Sequence, residues 1–258
     1  MTETRTLSEI LRAIPKKGPV VAIDGPAGTG KSSATKRLCE RLHFTHVDTG
    51  ALYRSIAYLL LKERGALGTG WESFKPEDMP AVETRAREIA ETAKLEFHRR
   101  PDMNPANRIW ANGKDITAHI RTPEVSICSS RVSALPAVRN ALLSLQRTMG
   151  CQGRTILEGR DIGTVIFPDA DVKFFLTASI DERAKRRLYE LEGAGADAPS
   201  YEEVRRQIAE RDQGDMTRAV APLRKAPDAE ELDTSNYTLD QVVEWMEKKV
   251  RDKLGVSK

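Results

Sequence analysis

The stretch Pro19-Val20-Val21-Ala22-Ile23-Asp24-Gly25-Pro26-Ala27-Gly28-Thr29-Gly30-Lys31-Ser32-Ser33 decides the fold. Val20 to Ile23 is an apolar run that stops at Asp24, the pattern of a short strand buried on both faces. Gly25 to Ser32 then fits G-x-x-x-x-G-K-[ST] in full. From Lys31 to Leu42 the chain turns to helix formers, with Leu38, Cys39 and Leu42 on one face. A strand before and a helix after are the context that makes this motif a phosphate cradle. Its glycines let successive backbone N–H groups converge on phosphate oxygens, and the helix N-terminus adds a positive dipole end. Gly25, Pro26, Ala27, Gly28, Thr29 and Gly30 would wrap the phosphates of ATP. Lys31 would reach the β- and γ-phosphates, Ser33 would join the ATP-binding residues, and the Ser32 hydroxyl offers a ligand to Mg²⁺.

Outward from that stretch, FTHV (44–47) predicts a second short strand. ALYRSIAYLLLKER (51–64) predicts a strong helix ended by Gly65. Strand, helix, strand, helix at this rhythm means a parallel sheet with right-handed crossovers. RTILEG (154–159), DVKFFLT (171–177) and ELDTS (231–235) predict three further strands, giving an α/β core with five. Helices are expected at 137–149, 181–192, 200–212 and 239–254. The last is amphipathic through Leu239, Val242, Val243, Met246 and Val250. The rhythm breaks between about Gly68 and Arg131. A helical piece from Pro80 to Ala93 comes first, then KLEFH and NRIWANGKDIT, which predict short antiparallel strands. Asn112-Gly113 between two alternating segments is a strong hairpin signal. This segment reads as an inserted substrate-side subdomain, and GAGADAP (193–199) as a flexible turn between two charged helices. Leu7, Ile10, Leu11 and Ile14 mark an amphipathic stretch that ends at Pro15.

Composition narrows the function. The 258 residues suggest one large domain or a core with an inserted module. Hydrophobic residues at 40% and charged residues at 31% allow a sizeable core and exclude global disorder. The formal charge of +3, from 41 basic and 38 acidic residues, argues against a nucleic-acid partner, which needs a large one-signed surface. Cys39, Cys128 and Cys151 lie far apart, so free thiols in a reducing compartment are expected. No apolar run approaches the ~18 residues of a membrane span. The opening MTETRTLSEILRAIPKKG has no long apolar segment of the secretory kind. A cytoplasmic, soluble protein with no membrane partner is expected.

Charged residues gather after three of the strands. Asp48-Thr49-Gly50-Ala51-Leu52-Tyr53-Arg54 follows the second strand. Thr49 could bond an acceptor substrate, and an arginine such as Arg54 matches phosphate oxygens. An Asp48 or Thr49 helix cap with a surface arginine is the plainer reading. Glu158-Gly159-Arg160-Asp161-Ile162-Gly163 follows another strand, where a turn with a surface ion pair is the alternative. Residues 181–225 hold eight arginines, ten acids and two lysines, a net charge of zero. That balance favours arginines placed singly for phosphates over a nucleic-acid stripe, with about half of them solvated helix charge. The chain has no Asn-Lys-x-Asp for guanine and one P-loop. Its small size, insert and arginine-rich late segment point to a small-molecule kinase.

The pieces IDGPAGTGKSS, DTGALYRSIA, IRTPEVS, ALPAVRNALLSLQR, EGRDIGTVIFPDADVKFFLTAS, ERAKRR and RDQGDMTRAVAPL together resemble the bacterial cytidylate kinase family over nearly the whole chain from Val20. The resemblance implies transfer of the ATP γ-phosphate to CMP or dCMP with Mg²⁺, in pyrimidine nucleotide metabolism. It implies a P-loop kinase core over 19–67 and 132–258, with a helical lid at about 181–215. A monophosphate-binding insert would span 68–131, leaving an extension over 1–18 with no assigned role. By matched position Arg54, Arg160, Arg211 and Arg218 would hold the CMP phosphate and the transferring group, with Asp48 and Thr49 near the monophosphate. Ser130, Arg139 and Asp161 would read cytosine, and Asp215 with Arg211 the sugar. Arg183, Arg186 and Arg187 would lie in the lid over ATP. Lys31, Arg160, Asp161, Arg211 and Arg218 would carry the transfer itself. The family more often has Ser at Thr49 and Asp at Glu158, and Gly214 stands where another arginine can occur. A monomer acting on small molecules is expected.

The chemistry agrees with those residues. The nucleophile is a phosphate oxygen already ionised near neutral pH, so no general base is required of His43, His46, His98 or His119. Transfer needs positioning and charge neutralisation. A carboxylate, an arginine and a hydroxyl complement cytosine's amino donor and its N3 and O2 acceptors. Two alternatives remain: a kinase of another monophosphate or small acid acceptor on the same core, and a non-catalytic P-loop protein that uses ATP as a switch. A second phosphate site would be idle in the latter.

Overall fold

The computed structural model describes residues 9, 14–65, 71, 74–100, 102–103, 105, 107–193 and 199–255. Strand β1 (Val20–Asp24) runs into helix α1 (Lys31–Leu42). Strand β2 (Thr45–Asp48) then runs into α2 (Thr49–Glu63). Helix α3 (Met79–Thr92) leads to β3 (Leu95–Arg99), β4 (Asn107–Ala111) and β5 (Lys114–Asp115). Helices α4 (Pro123–Val132) and α5 (Pro136–Gly150) return to β6 (Thr155–Gly159), and a π-turn at Ile162–Ile166 precedes β7 (Val172–Thr177). Helices α6 (Ile180–Gly193) and α7 (Tyr201–Thr217), strand β8 (Glu230–Asp233) and helix α8 (Leu239–Leu254) complete the chain.

Five strands form a parallel sheet in the order β2-β6-β1-β7-β8. The central strand β1 is buried at every residue, which is why its sequence carries no alternation. Its register sets Asp24 beside Gly159 on one side and Phe175 on the other, so the phosphate-loop entry and the β6 exit share one end of the sheet. One face is sealed by α1 and α8. Leu38, Leu42, Val243, Met246 and Val250 pack there on Val21, Ile23, Ile156 and Phe174. A capping box of Thr238 and Gln241 starts α8, and Gly255 in the left-handed region ends it.

The chain divides into two compact units, one containing Asp48–Thr148 and the other Ile14–Val47 with Met149–Lys258. In the first, α2 packs on α3 and α4, and β3-β4-β5 form a small antiparallel sheet. Asn112 and Gly113 turn the β4–β5 hairpin at φ 50° and 76°, and Leu95 pairs with Ala111 across the β3–β4 ladder. The sequence reading confined the insert to 68–131. The unit begins earlier, at Asp48, because α2 packs on the helices of the insert.

Strand β8 begins one residue earlier than expected, and α7 continues five residues past 212, which places Asp215 on the same helix as Arg211. Helix α4 had no counterpart in the sequence reading. The amphipathic stretch at 7–14 lies almost wholly outside the described residues, as does the turn at 193–199. Cys39, Cys128 and Cys151 are buried free thiols. Among the described residues no helix is long and apolar enough to cross a membrane.

Candidate active site

The loop after β1 takes its shape from two glycines. Gly25 has φ 144°, and a Cβ there would stand 2.0 Å from the Leu176 carbonyl oxygen. Gly28 has φ 77°, with the Arg183 side chain 3.0 Å from where its Cβ would be. Any other residue would push the loop off the end of the sheet. Gly30 is the N-cap of α1 and adds no side-chain bond, so the first N–H groups of the helix stay open to a ligand.

Lys31 is buried. Its Nζ donates to the Pro26 carbonyl and, at 3.2 Å, to Thr29 Oγ1, so the ammonium folds back across the loop. Burial holds its pKa well below the usual lysine range, and Arg160 and Arg211 push it the same way against Glu158 and Asp24. Ser32, exposed at the start of α1, donates to Glu158 Oε2 at 2.7 Å. Glu158 is buried at the end of β6, and its other oxygen meets His46 Nε2 at 2.8 Å. The sequence reading gave Glu158 and His46 no role.

The arginines of 181–225 sort as the charge balance suggested. Arg187, Arg205, Arg206 and Arg224 are exposed; Arg183, Arg186, Arg211 and Arg218 are not. Arg183 is committed to the protein. Its Nε donates to Ala178 O at 3.0 Å, and its Nη1 to Ala27 O in the loop at 3.2 Å and to Asp212. Arg186 is held by Thr234 through both terminal nitrogens, and Nη1 lies 3.9 Å from the Cβ position of Gly30. Arg187 pairs with Glu190 on the helix surface.

Next to the loop, four charges alternate. Arg160 Nε donates to Asp215 Oδ2 at 2.9 Å, and its Nη1 to Gly159 O at 3.2 Å. Its Nη2 bonds nothing among the described residues. Arg218 donates to Asp161 at 3.3 Å and to Asp215 at 3.5 Å, while its Nε is fixed on Ala221 O at 2.7 Å. Burial alone would raise the Asp215 pKa, but Arg160, Arg211 and Arg218 together hold it below the usual carboxylate value. Thus Arg160, Asp161, Asp215 and Arg218 come together, with Arg211 near enough to act on Asp215. Asp24 was missed: buried at the end of β1, it accepts the backbone N–H groups of Ile162 and Gly163 at 2.8 and 2.7 Å. An acidic residue closing an otherwise apolar strand was the available signal.

On the other unit, Asp48 caps α2 by accepting from Ala51 N at 3.0 Å, which is the plainer of the two sequence readings. Its second oxygen takes Arg54 Nη2 at 2.7 Å, so the cap also aims the arginine. Thr49 is buried as the first residue of α2. Arg139 is buried with its guanidinium 5.4 Å from the Tyr53 ring centre, and it donates to Ser133 O at 3.1 Å. Ser130 lies half-buried on α4, and its carbonyl accepts from Ser133 Oγ.

The family model described as cytidylate kinase matches residues 21–252. A cytidylate kinase of Citrifermentans bemidjiense is 43% identical, covering 95% of this chain and 98% of that protein. One of Geobacter sulfurreducens is 42% identical over 94% and 97%. A bifunctional pantoate ligase/cytidylate kinase of Synechocystis is 45% identical, and there the match takes in 88% of this chain and 41% of the longer protein. The solved structure of TT1252 from Thermus thermophilus aligns with 93% of this chain at 17% identity and a TM-score of 0.45. With its phosphate loop and alternating charge cluster, the chain belongs to the cytidylate kinase family, enzymes that move the ATP γ-phosphate onto CMP.

Proposed function

We propose that this chain phosphorylates CMP and dCMP with Mg²⁺-bound ATP, and that its residues divide the work as follows. The observation that carries the reading is the cluster Arg160–Asp215–Arg218–Asp161, a second phosphate-competent site beside the phosphate loop of the same unit. The open N–H groups of Gly28 to Ser32 take the ATP phosphates. Burial and the nearby Arg160 and Arg211 disfavour the Lys31 ammonium, and the negative charge of a triphosphate favours it. It then neutralises charge on the bridging and transferring oxygens. Ser32 Oγ and the Glu158 carboxylate are oxygen donors 2.7 Å apart, a set that suits a hard divalent cation. Bound Mg²⁺ would supply charge neutralisation across the β- and γ-phosphates.

Arg160, through its uncommitted Nη2, and Arg218 and Arg211 hold the acceptor phosphate and the transferring group. Asp161 accepts from the cytosine amino group, while Arg139 and Ser130 meet N3 and O2. Arg54, pre-aimed by Asp48, serves the monophosphate. Arg183, bonded to Ala27 O in the loop, and Arg186, beside Gly30, serve ATP from the lid helix. No residue need remove a proton, because the attacking phosphate oxygen is already ionised.

The test is ADP release from ATP and Mg²⁺ against CMP, dCMP, UMP, AMP and GMP. CMP and dCMP should lead the panel by at least about tenfold in kcat/KM, on ~1–3 kcal/mol for each mismatched buried polar group. A preference for UMP or AMP would remove the base assignment and leave a less specific monophosphate kinase.

A further inference from the structure

We infer that Asp24 is a positioning residue for acceptor binding: its carboxylate holds the Arg160–Asp161 turn in place by accepting the N–H groups of Ile162 and Gly163. The inference rests on the acceptor-site reading of Arg160 and Asp161 given above. Asp24 closes a strand whose other four residues are apolar and fully buried, and it is itself 4% exposed. A carboxylate in that place is costly unless it is well bonded. Its two oxygens are each matched by one backbone donor, at 2.8 and 2.7 Å, from residues 138 and 139 positions away.

Those donors open the π-turn Ile162–Ile166, so they have no partner within the turn itself. The residue just before them is Asp161, with φ −143° and ψ 24° and no side-chain cap of its own. Pinning the next two N–H groups therefore fixes the backbone that carries Asp161 and Arg160. The side chains then reach Arg218 and Asp215. Only a carboxylate supplies two acceptors with no donor. In Asp24→Asn one amide face would point N–H at N–H, and half of the clamp would be lost.

The charged groups around the clamp are Asp161, Lys31 and the stem of Lys173, which lies 3.1 Å from the Cβ position of Gly163. Burial lifts the Asp24 pKa to about 7, with Asp161 adding to it and the two N–H bonds and Lys31 opposing. The clamp therefore loosens by protonation on the acid side of neutrality.

The experiment is calorimetric binding of CMP alone and of MgADP alone to wild type, Asp24→Asn, Asp161→Asn and the double variant. Asp24→Asn should weaken CMP by roughly tenfold, the scale of one lost buried hydrogen bond, and leave MgADP within about twofold. The double variant should lose no more than about twofold beyond Asp161→Asn, because both act through one turn. Equal weakening of both ligands, unchanged CMP affinity, or fully additive losses would overturn the clamp. If Asp161→Asn itself leaves CMP affinity intact, the acceptor-site reading fails instead.

Should Asp24→Asn not fold, wild type carries the test through NMR. The Ile162 and Gly163 amides should titrate together near pH 7, and affinity for the CMP dianion should follow that titration while MgADP affinity does not. A CMP affinity indifferent to it refutes the inference.

Discussion

Asp24 also makes a prediction about stability, independent of any ligand. In an unfolded chain its carboxyl titrates near 3.8, and in the folded protein near 7. The folded state holds the proton more tightly, so the group's contribution is complete below about pH 3.8 and disappears as pH rises through 7. The span from 3.8 to about 7, at ~1.4 kcal/mol for each pH unit, amounts to about 4 kcal/mol. Asp24→Asn cannot titrate, so its offset from wild type isolates the effect. Urea unfolding of both proteins, without nucleotide, at pH 5, 6, 7 and 8 is the assay. The wild-type advantage over Asp24→Asn should fall by ~1.4 kcal/mol per unit from pH 5 toward 7 and then level off, a total of about 3 kcal/mol. Parallel stability curves, or an advantage that grows with pH, would show that the two N–H bonds outweigh burial and that Asp24 is ionised throughout.

Lys31→Ala should fold and lose turnover by at least about 100-fold, because it removes a charge that the transferring phosphoryl group leans on. Near-normal turnover would end its assignment to the donor site. Arg139→Met should raise KM for CMP more than KM for ATP, measured in the same steady-state series. Equal changes would show that Arg139 serves the fold through Tyr53 and Ser133 rather than the base. Gly150→Ala should cost about 1–3 kcal/mol, since its Cβ would lie 2.4 Å from the fully buried Phe167 ring. Phe167→Leu in the same chain should recover part of that loss in thermal unfolding.

Much of the scaffold was legible because local rules and tertiary structure agree. The buried run Val20–Ile23, the glycine pattern and the 3.6-residue repeat of the last helix each name their element unaided. Asn112-Gly113 needs positive φ at both positions and shows it. Helix α4 was not legible: Ser126, Ser129 and Ser130 depress its propensity, and its stripe of Val125, Cys128 and Val132 is short. The Thr122-Pro123 start was the overlooked signal. Within the site, motif residues could be read one by one, but partners could not. Ser32 with Glu158, Glu158 with His46 and Asp24 with Ile162 join positions more than a hundred residues apart, through strand register that no local pattern encodes. Arg183 shows the same limit. Its sequence position suggests a lid contact, but not that its Nε and Nη1 bond Ala178, Ala27 and Asp212.

The arginines proposed for the acceptor phosphate gain from being already paired. A bare guanidinium on a flexible stem loses rotamer freedom when a ligand captures it, and four charges of one sign would repel each other meanwhile. Here Asp215 lies between Arg160 and Arg218, and Asp161 holds Arg218 from the other side, so two carboxylates offset most of the charge of Arg160, Arg218 and the nearby Arg211. The carboxylates take one edge of each guanidinium and leave Arg160 Nη2 for a phosphate oxygen. An incoming dianion then meets donors fixed in direction, with little left to reorganise as charge moves onto the transferring group. The same pairing makes the site depend on its anions. Three arginines offset the burial of Asp215 and hold its pKa down, and the ionised carboxylate in turn anchors Arg160 and Arg218. Protonating Asp215 would weaken one anchor of Arg160 and one of Arg218 at the same moment, so the two arginines are coupled through it.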